Sequence, residues 1–143
     1  MGYVIDKSGI CWKGEDDDDL SDFIASQGPA SRVTTCRCLS CGEWVFTLKF
    51  DDEDGCAERR CVECGESAFI GDSEEFWSDA EPEDAVCPCA LGVFEVCVGF
   101  SFRSDGEVQW ISVGGLCTAC GILTLFVGWS IDYSPTEHLL EAL

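Results

Sequence analysis

Two matching segments decide the fold of this chain: Cys38-Leu39-Ser40-Cys41-Gly42 and, after 18 intervening residues, Cys61-Val62-Glu63-Cys64-Gly65. Each is a Cys-x-x-Cys turn, which lets two sulfur atoms bind one ion. The glycine after each second cysteine tolerates the left-handed backbone that so tight a turn often needs. Zn²⁺ in structural sites takes four ligands in tetrahedral geometry, with sulfur about 2.3 Å away. The spacing therefore predicts a closed metal site with Cys38, Cys41, Cys61 and Cys64 as its ligands.

A less regular copy of this pattern follows further along the chain. It opens with Cys87-Pro88-Cys89 and closes with Cys117-Thr118-Ala119-Cys120-Gly121. The opening pair has one residue between its cysteines where the first unit has two, so its turn must differ. We predict a second site formed by Cys87, Cys89, Cys117 and Cys120, and therefore two zinc ions. Disulfides or free buried thiols are the alternative, although close cysteine pairs in a reducing cytosol bind metal more often.

The segments between the cysteine pairs alternate between apolar and other residues, which predicts β-strands. Residues two apart share one face of a strand. The apolar positions are Trp44, Phe46, Leu48 and Phe50 in the first unit, and Phe94, Val96, Val98, Phe100 and Phe102 in the second. Asp105-Gly106 then precedes a return strand expected over 107–113, which is typical of a hairpin.

With these paired turns and hairpins the chain resembles the zinc ribbon and, more distantly, the paired knuckles of rubredoxin. The resemblance covers 38–70 closely and 87–131 less closely. It implies a mainly β fold with short helices, made of tandem zinc-ribbon-like β-hairpin units. It also implies metal at both sites, with iron as the alternative to zinc. It implies no particular function, because zinc ribbons serve many roles.

The composition along the chain suggests four segments. These are an acidic lead-in with a short helix (1–35), the first zinc-ribbon-like unit (36–71), an acidic linker (72–86), and the second unit with a C-terminal helix (87–143).

Two of these segments contain helix signals. In the lead-in, acids at 15–19 precede Leu20, Phe23 and Ile24, as at a helix N-terminus, and Gly28-Pro29 would end that helix. Near the C-terminus, Ser134-Pro135-Thr136-Glu137 reads as a capping box. The helix it would start should pack Leu139, Leu140 and Leu143 on the sheet.

Four further cysteines and a group of arginines remain. Cys11, Cys36, Cys56 and Cys97 are expected to be buried thiols, with Cys36 and Cys56 as possible alternative ligands because each precedes a ligand pair. The arginines near the first site are Arg32, Arg37, Arg59 and Arg60. We expect them to offset the negative charge of a zinc–thiolate centre; a small anion- or nucleic-acid-binding patch is the other interpretation.

The charge balance restricts the partners of the chain. With 28 acidic and 8 basic residues its formal net charge is −20, and two zinc sites with four thiolates each would bring it to −24. Such a surface repels nucleic acids and anionic lipids and attracts basic proteins. A role in solubility, or a high-salt habitat, would also explain it. No signal peptide or membrane-spanning stretch is recognisable, which predicts a cytoplasmic protein.

These observations favour a non-enzymatic protein. Sites with four cysteines leave no position open for a catalytic water, and no phosphate-binding loop or nucleophile motif is present. We predict an acidic zinc-binding protein that binds a basic protein partner, as an inhibitor, an immunity-like protein or a subunit of an assembly. The alternatives are a rubredoxin-like electron carrier and a transcription-associated zinc ribbon that acts through protein contacts.

Overall fold

A computed structural model describes residues 2–6, 9–27 and 30–140, with side chains from residue 12 onward. In this part of the chain, two α-helices and two short 3₁₀ segments accompany a ten-stranded antiparallel sheet. The strands are β1 (Gly2–Asp6), β2 (Gly9–Lys13), β3 (Arg32–Thr35), β4 (Val45–Asp51), β5 (Cys56–Cys61), β6 (Ser67–Phe69), β7 (Glu83–Asp84), β8 (Phe94–Phe102), β9 (Val108–Cys117) and β10 (Ile122–Ser130). The helices are α1 (Asp17–Gln27) and α2 (Ser73–Phe76), and the 3₁₀ segments are Trp77–Asp79 and Glu137–Leu140.

The strand order along the main path of the sheet is β1-β2-β10-β9-β8-β4-β5-β6. Two three-stranded meanders, β4-β5-β6 and β8-β9-β10, therefore meet at their first strands. They are joined by only two residue pairs, Val45 with Glu95 and Phe46 with Phe94. Beyond that point β8 pairs with β3, and β4 pairs with β7. The separation of β4 from β8 lets the first meander fold over one face of the second.

The main core lies between these two meanders. Phe46, Leu48, Phe94 and Val96 are buried in it, as strict alternation along β4 and β8 requires. The rings of Phe50 on β4 and Phe126 on β10 lie 5.7 Å apart, which fastens the two layers together. Large apolar side chains from both meanders thus exclude water between them, and their burial is the main stabilising contribution to the fold.

Helix α1 covers the opposite face of β8-β9-β10. Its buried residues are Leu20, Phe23 and Ile24, which pack with Cys97 and other apolar residues of the sheet. The carboxylate of Asp16 accepts a hydrogen bond of 3.0 Å from the N–H of Asp19, as an N-terminal cap does. The helix approaches so closely that a Cβ on Gly114 would lie 2.8 Å from Cδ1 of Ile24. The second meander is therefore enclosed by helix on one side and by sheet on the other.

The C-terminal helix predicted from the capping box is not found within the described residues. Only the 3₁₀ segment Glu137–Leu140 forms there, and Leu143 lies outside the described part. The N–H and hydroxyl of Thr136 both donate to the carboxylate of Glu107, and the N–H of Val108 donates to the Thr136 hydroxyl at 2.8 Å. These long-range hydrogen bonds use the backbone N–H that a local cap would organise. None of the described helices has the length and apolar character needed to cross a membrane.

Candidate metal centres

Four of the predicted cysteines converge in the first tetrad, which consists of Cys38, Cys41, Cys61 and Cys64. The Sγ atoms of Cys38 and Cys64 are 3.5 Å apart, as are those of Cys41 and Cys61. All four sulfur atoms lie within 4.8 Å of one another. An ion bound tetrahedrally at about 2.3 Å would hold its sulfur ligands about 3.8 Å apart. The donor atoms therefore match a tetrahedral thiolate site in both chemistry and spacing.

The second tetrad consists of Cys87, Cys89, Cys117 and Cys120. Its Sγ atoms lie 3.4 Å apart between Cys87 and Cys120, and 3.6 Å apart between Cys89 and Cys117. These four sulfur atoms also lie within 4.8 Å of one another. The shorter spacing of Cys87 and Cys89 thus does not prevent convergence. Both tetrads are close enough to hold one metal ion each.

The backbone of each cysteine turn explains how the sulfur atoms converge; we call each turn and the residue after it a knuckle. In three knuckles the N–H of a glycine donates to the carbonyl of the first cysteine, at 2.8 to 2.9 Å. These glycines, Gly42, Gly65 and Gly121, have φ values of 80°, 77° and 80°. Only glycine adopts that conformation at little cost. The turn therefore favours glycine after the second cysteine.

The knuckle of Cys87 and Cys89 has a different turn, as its spacing predicted: its hydrogen bond spans three residues, whereas those of the other knuckles span four. Ala90 follows its second cysteine, has φ 76°, and donates its N–H to the Cys87 carbonyl at 2.8 Å. It is the one non-glycine residue with positive φ in the described part of the chain. Ala90 thus adopts the left-handed conformation that glycine adopts in the other knuckles, and it does so at an energetic cost.

The two tetrads are aligned across the sheet. Cys61 pairs with Phe46, Phe46 with Phe94, and Phe94 with Cys117, so one row of four strands carries a ligand at each end. With strands about 4.8 Å apart, the two sites lie roughly 15 Å from each other. Both sites are therefore fixed by the same paired strands.

Backbone N–H groups prepare two of the thiols for ionisation. The N–H of Cys41, assisted by that of Ser40 and opposed by burial, lowers the pKa of Cys38 from 9.0 to about 6. At Cys117 burial acts against ionisation, but the N–H groups of Cys120 and Ala119 outweigh it and lower the pKa to about 7. Thiolate is the form that binds metal. One thiol in each tetrad, that of Cys38 or Cys117, is therefore favoured as thiolate. Burial raises the pKa of Cys87, and at Cys41 the N–H of Glu43 is outweighed by burial and by hydrogen bonds to neighbouring sulfur atoms, which raise the pKa as well.

The arginines near the first tetrad differ in position. Arg37 donates from Nε to the Gly42 carbonyl at 3.2 Å, and its guanidinium lies 5.4 Å from the ring of Trp44. Arg60 directly precedes Cys61, and its Nη2 would be 3.8 Å from a Cβ on Gly65. Arg37 and Arg60 thus flank the two knuckles of the first tetrad.

The other two arginines lie elsewhere. Arg59 is buried, with its guanidinium 4.8 Å from the ring of Phe46. Arg32 pairs with Phe100 on β8, six residues along that strand from the row that connects the tetrads. The four arginines therefore do not form one exposed basic patch.

The remaining described cysteines lie outside both tetrads. Cys36, Cys56 and Cys97 are fully buried. Burial raises the pKa of Cys36 to about 12 and that of Cys97 to about 11, so both are protonated at neutral pH. The Cys97 thiol lies 3.4 Å from the Thr35 hydroxyl, to which it donates. The side chain of Cys11 falls outside the described residues.

Sequence reasoning missed a buried carboxylate in the segment expected to be a linker. Asp72 accepts hydrogen bonds from the indole Nε1 of Trp129 at 3.0 Å and from the hydroxyl of Tyr133 at 2.8 Å. The only local indication is Gly71, whose φ of 63° marks a turn before Asp72. The partners lie 57 and 61 residues away, so no sequence pattern could identify them.

Comparisons of this chain with protein-family models, with curated proteins and with solved structures found no significant match.

Proposed function

We propose that this chain is a non-enzymatic binding protein, stabilised by one zinc ion in each tetrad, whose acidic surface binds a basic protein. Metal binding is supported by the convergence of eight cysteine sulfur atoms into two groups of four. Four thiolates complete the coordination of Zn²⁺, which supports a structural rather than a catalytic ion. Iron is the competing occupant, and a rubredoxin-like visible spectrum of the purified protein would favour electron transfer instead.

We further propose that the two meanders are zinc-ribbon-like units joined through their first strands. In each unit the ligands come from a turn before the first strand and a turn after the second strand. The first strands of the two units, β4 and β8, are neighbours at the centre of the order β6-β5-β4-β8-β9-β10, and the second and third strands follow outward on each side. Two copies related by an approximate two-fold axis would give this order. Phe46 and Phe94 each follow the preceding cysteine by five residues and pair with each other. This correspondence supports duplication of a single unit.

The proposed partner follows from charge. The formal net charge is −20, and two zinc–thiolate centres would add to it. Surplus carboxylates speed association with a basic surface and make it dependent on salt, because ions screen exposed charges beyond about 10 Å at 0.1 M. An inhibitor, an immunity-like protein and an assembly subunit would each use such a surface, and we expect the protein to act in the cytoplasm.

The partner can be tested with two baits that share the formal charge of −20 before metal binds and that differ by at most four charges once the first is loaded with zinc. The first is the zinc-loaded protein, and the second carries Cys64→Ser and Cys120→Ser, which breaks both tetrads. We expect the first bait to retain a basic protein from the host extract at low salt and to release it at high salt, and we expect the second to retain far less. Equal capture by both baits would attribute binding to charge alone, and salt-independent capture would contradict the electrostatic account.

A further inference from the structure

A groove of about 420 Å³ lies beside the outer edge of β10, and no tetrad cysteine lines it. Its aromatic lining consists of Phe76, Trp110, Trp129 and Tyr133. Phe76 is 39% exposed, although most large apolar side chains of the protein are buried. Trp110 lies close over Gly128, since a Cβ there would be 2.8 Å from the indole Nε1. The aromatic side chains therefore line an accessible groove and do not fill it. We call this the acidic groove because of the carboxylates described next.

Asp72 contributes a buried carboxylate to this groove. Only 8% of the residue is exposed, and its two oxygens are oriented by Trp129 and Tyr133. Within 2–6, 9–27 and 30–140, no lysine or arginine forms an ion pair with Asp72. A buried negative charge is costly without a cationic partner. The groove thus contains a carboxyl group whose described partners are two neutral donors, an indole N–H and a phenol O–H.

Exposed acids surround the same groove. Asp52, Glu53 and Asp54 reach it from the turn between β4 and β5, and Asp132 from the segment after β10. The turn is held in shape because Asp51 accepts hydrogen bonds from the N–H groups of Glu53 and Asp54, at 2.9 and 3.3 Å. Five carboxylates therefore face one space from three separate segments.

Arg103 lies next to the acidic groove, but its described partners are groups other than the carboxylates of the groove. Arg103 donates to the carbonyls of Ile131 and Tyr133 at 3.3 and 2.8 Å, and its ion pair is with Asp105 at 3.6 Å. Burial raises the pKa of the Tyr133 hydroxyl, and its hydrogen bond to Asp72 and the charges of Glu75 and Asp132 raise it further. The charged residues that line the groove are therefore all acidic.

We propose that the acidic groove binds the cationic end of a lysine or arginine side chain presented by the basic partner protein. This inference rests on the proposed function and assigns it a contact point. Ammonium and guanidinium groups are attracted to the faces of Trp and Tyr within about 6 Å, most strongly where water is excluded. The volume of the groove is within the range of about 300–1,000 Å³ typical of ligand pockets and suffices for one long side chain. Carboxylates at the same place select for positive charge.

The test follows the indole N–H resonances of the ¹⁵N-labelled, zinc-loaded protein during titration. The probes are a lysine-rich peptide, an arginine-rich peptide, a glutamine peptide of equal length and tetramethylammonium chloride. Trp110 and Trp129 report on the groove, and Trp12, Trp44 and Trp77 serve as internal controls. We expect a basic peptide to shift the two groove resonances selectively, and we expect no shift with the glutamine peptide.

Two matched variants separate the groove from general charge attraction. The groove variant carries Glu53→Gln, Asp54→Asn and Asp132→Asn, and the control variant carries Asp17→Asn, Asp18→Asn and Asp22→Asn on helix α1, all at exposed positions. Both raise the net charge by three. Because each exposed pair contributes little alone, we expect the groove variant to weaken peptide binding about tenfold. The control should change it less than about twofold.

The outcomes distinguish this inference from the proposed function. Equal weakening by both variants, or shifts spread over all five indoles, would overturn the groove while a basic partner remains supported. Selective shifts with tetramethylammonium but none with either basic peptide would assign the groove to small cations and overturn the side-chain proposal. Failure to bind either peptide, combined with failure to capture a basic protein, would overturn both.

Discussion

Gly55 offers the sharpest test of how the two meanders pack. It ends the turn between β4 and β5 with φ 71°, and a Cβ at this position would lie 2.5 Å from the Cβ and 3.0 Å from the Cγ of Trp129. Gly55→Ala therefore combines two penalties. The left-handed backbone costs about 1 kcal/mol net, since alanine also reduces the entropy of the unfolded chain. Overpacking against Trp129 adds about 1–3 kcal/mol, for a total of about 2–4 kcal/mol.

Gly106 provides the matched control for this substitution. It has φ 86°, but nothing lies within 4 Å of a Cβ added there, so Gly106→Ala carries only the backbone penalty of about 1 kcal/mol. Thermal unfolding of the zinc-loaded proteins measures both effects. At about 2–4 °C per kcal/mol for a chain of this size, we expect losses of about 5–15 °C for Gly55→Ala and about 2–4 °C for Gly106→Ala. Equal losses would refute the close packing of Trp129 on this turn.

Three further predictions concern the knuckles and the buried thiols. Ala90→Gly should raise the free energy of unfolding by a few tenths to about 1 kcal/mol in denaturant melts, because glycine relieves the left-handed strain at φ 76°; a loss of stability would contradict that assignment. Since burial raises the pKa of Cys97 from 9.0 to about 11, its contribution to stability is complete below pH 9 and is lost as the pH rises to about 11. The free energy of unfolding should fall by at most about 1.4 kcal/mol per pH unit over this range, and it should fall less steeply in Cys97→Ala. Denaturant unfolding at a series of pH values measures both slopes. Removal of metal with a chelator should lower the thermal midpoint by tens of degrees, because structural zinc contributes on the order of 10 kcal/mol, and an unchanged melt would argue against structural metal.

The features that could be read from the sequence are those set by local geometry. Alternation of apolar residues predicted the run that β8 forms, Phe94 to Phe102, because side chains on a strand alternate between faces. The spacing of the cysteines indicated which sulfur atoms would meet, because a short turn restricts two ligands to one ion. The less regular pair Cys87 and Cys89 converges with Cys117 and Cys120 because Ala90 accepts a conformation that alanine disfavours.

The features that could not be read depend on contacts between distant residues. The capping box near Ser134 predicted a helix from local preference, yet the hydrogen bonds between Thr136 and Glu107 determine the structure there. The segment expected to be a linker supplies Asp72 to a core hydrogen-bond pair and Glu83–Asp84 to the sheet. The pairing of Phe46 with Phe94, which aligns the tetrads, likewise joins residues 48 positions apart. Local patterns carry no information about these partners.

Elemental analysis of the folded, purified protein tests the central claim most directly. Two zinc ions per chain are predicted for the natural sequence and one for Cys41→Ser with Cys64→Ser, which breaks the first tetrad alone. Cys56→Ala, which removes a buried thiol outside both tetrads, should retain two. A folded protein without bound metal would contradict the account, as would equal metal content in the tetrad variant and the natural sequence.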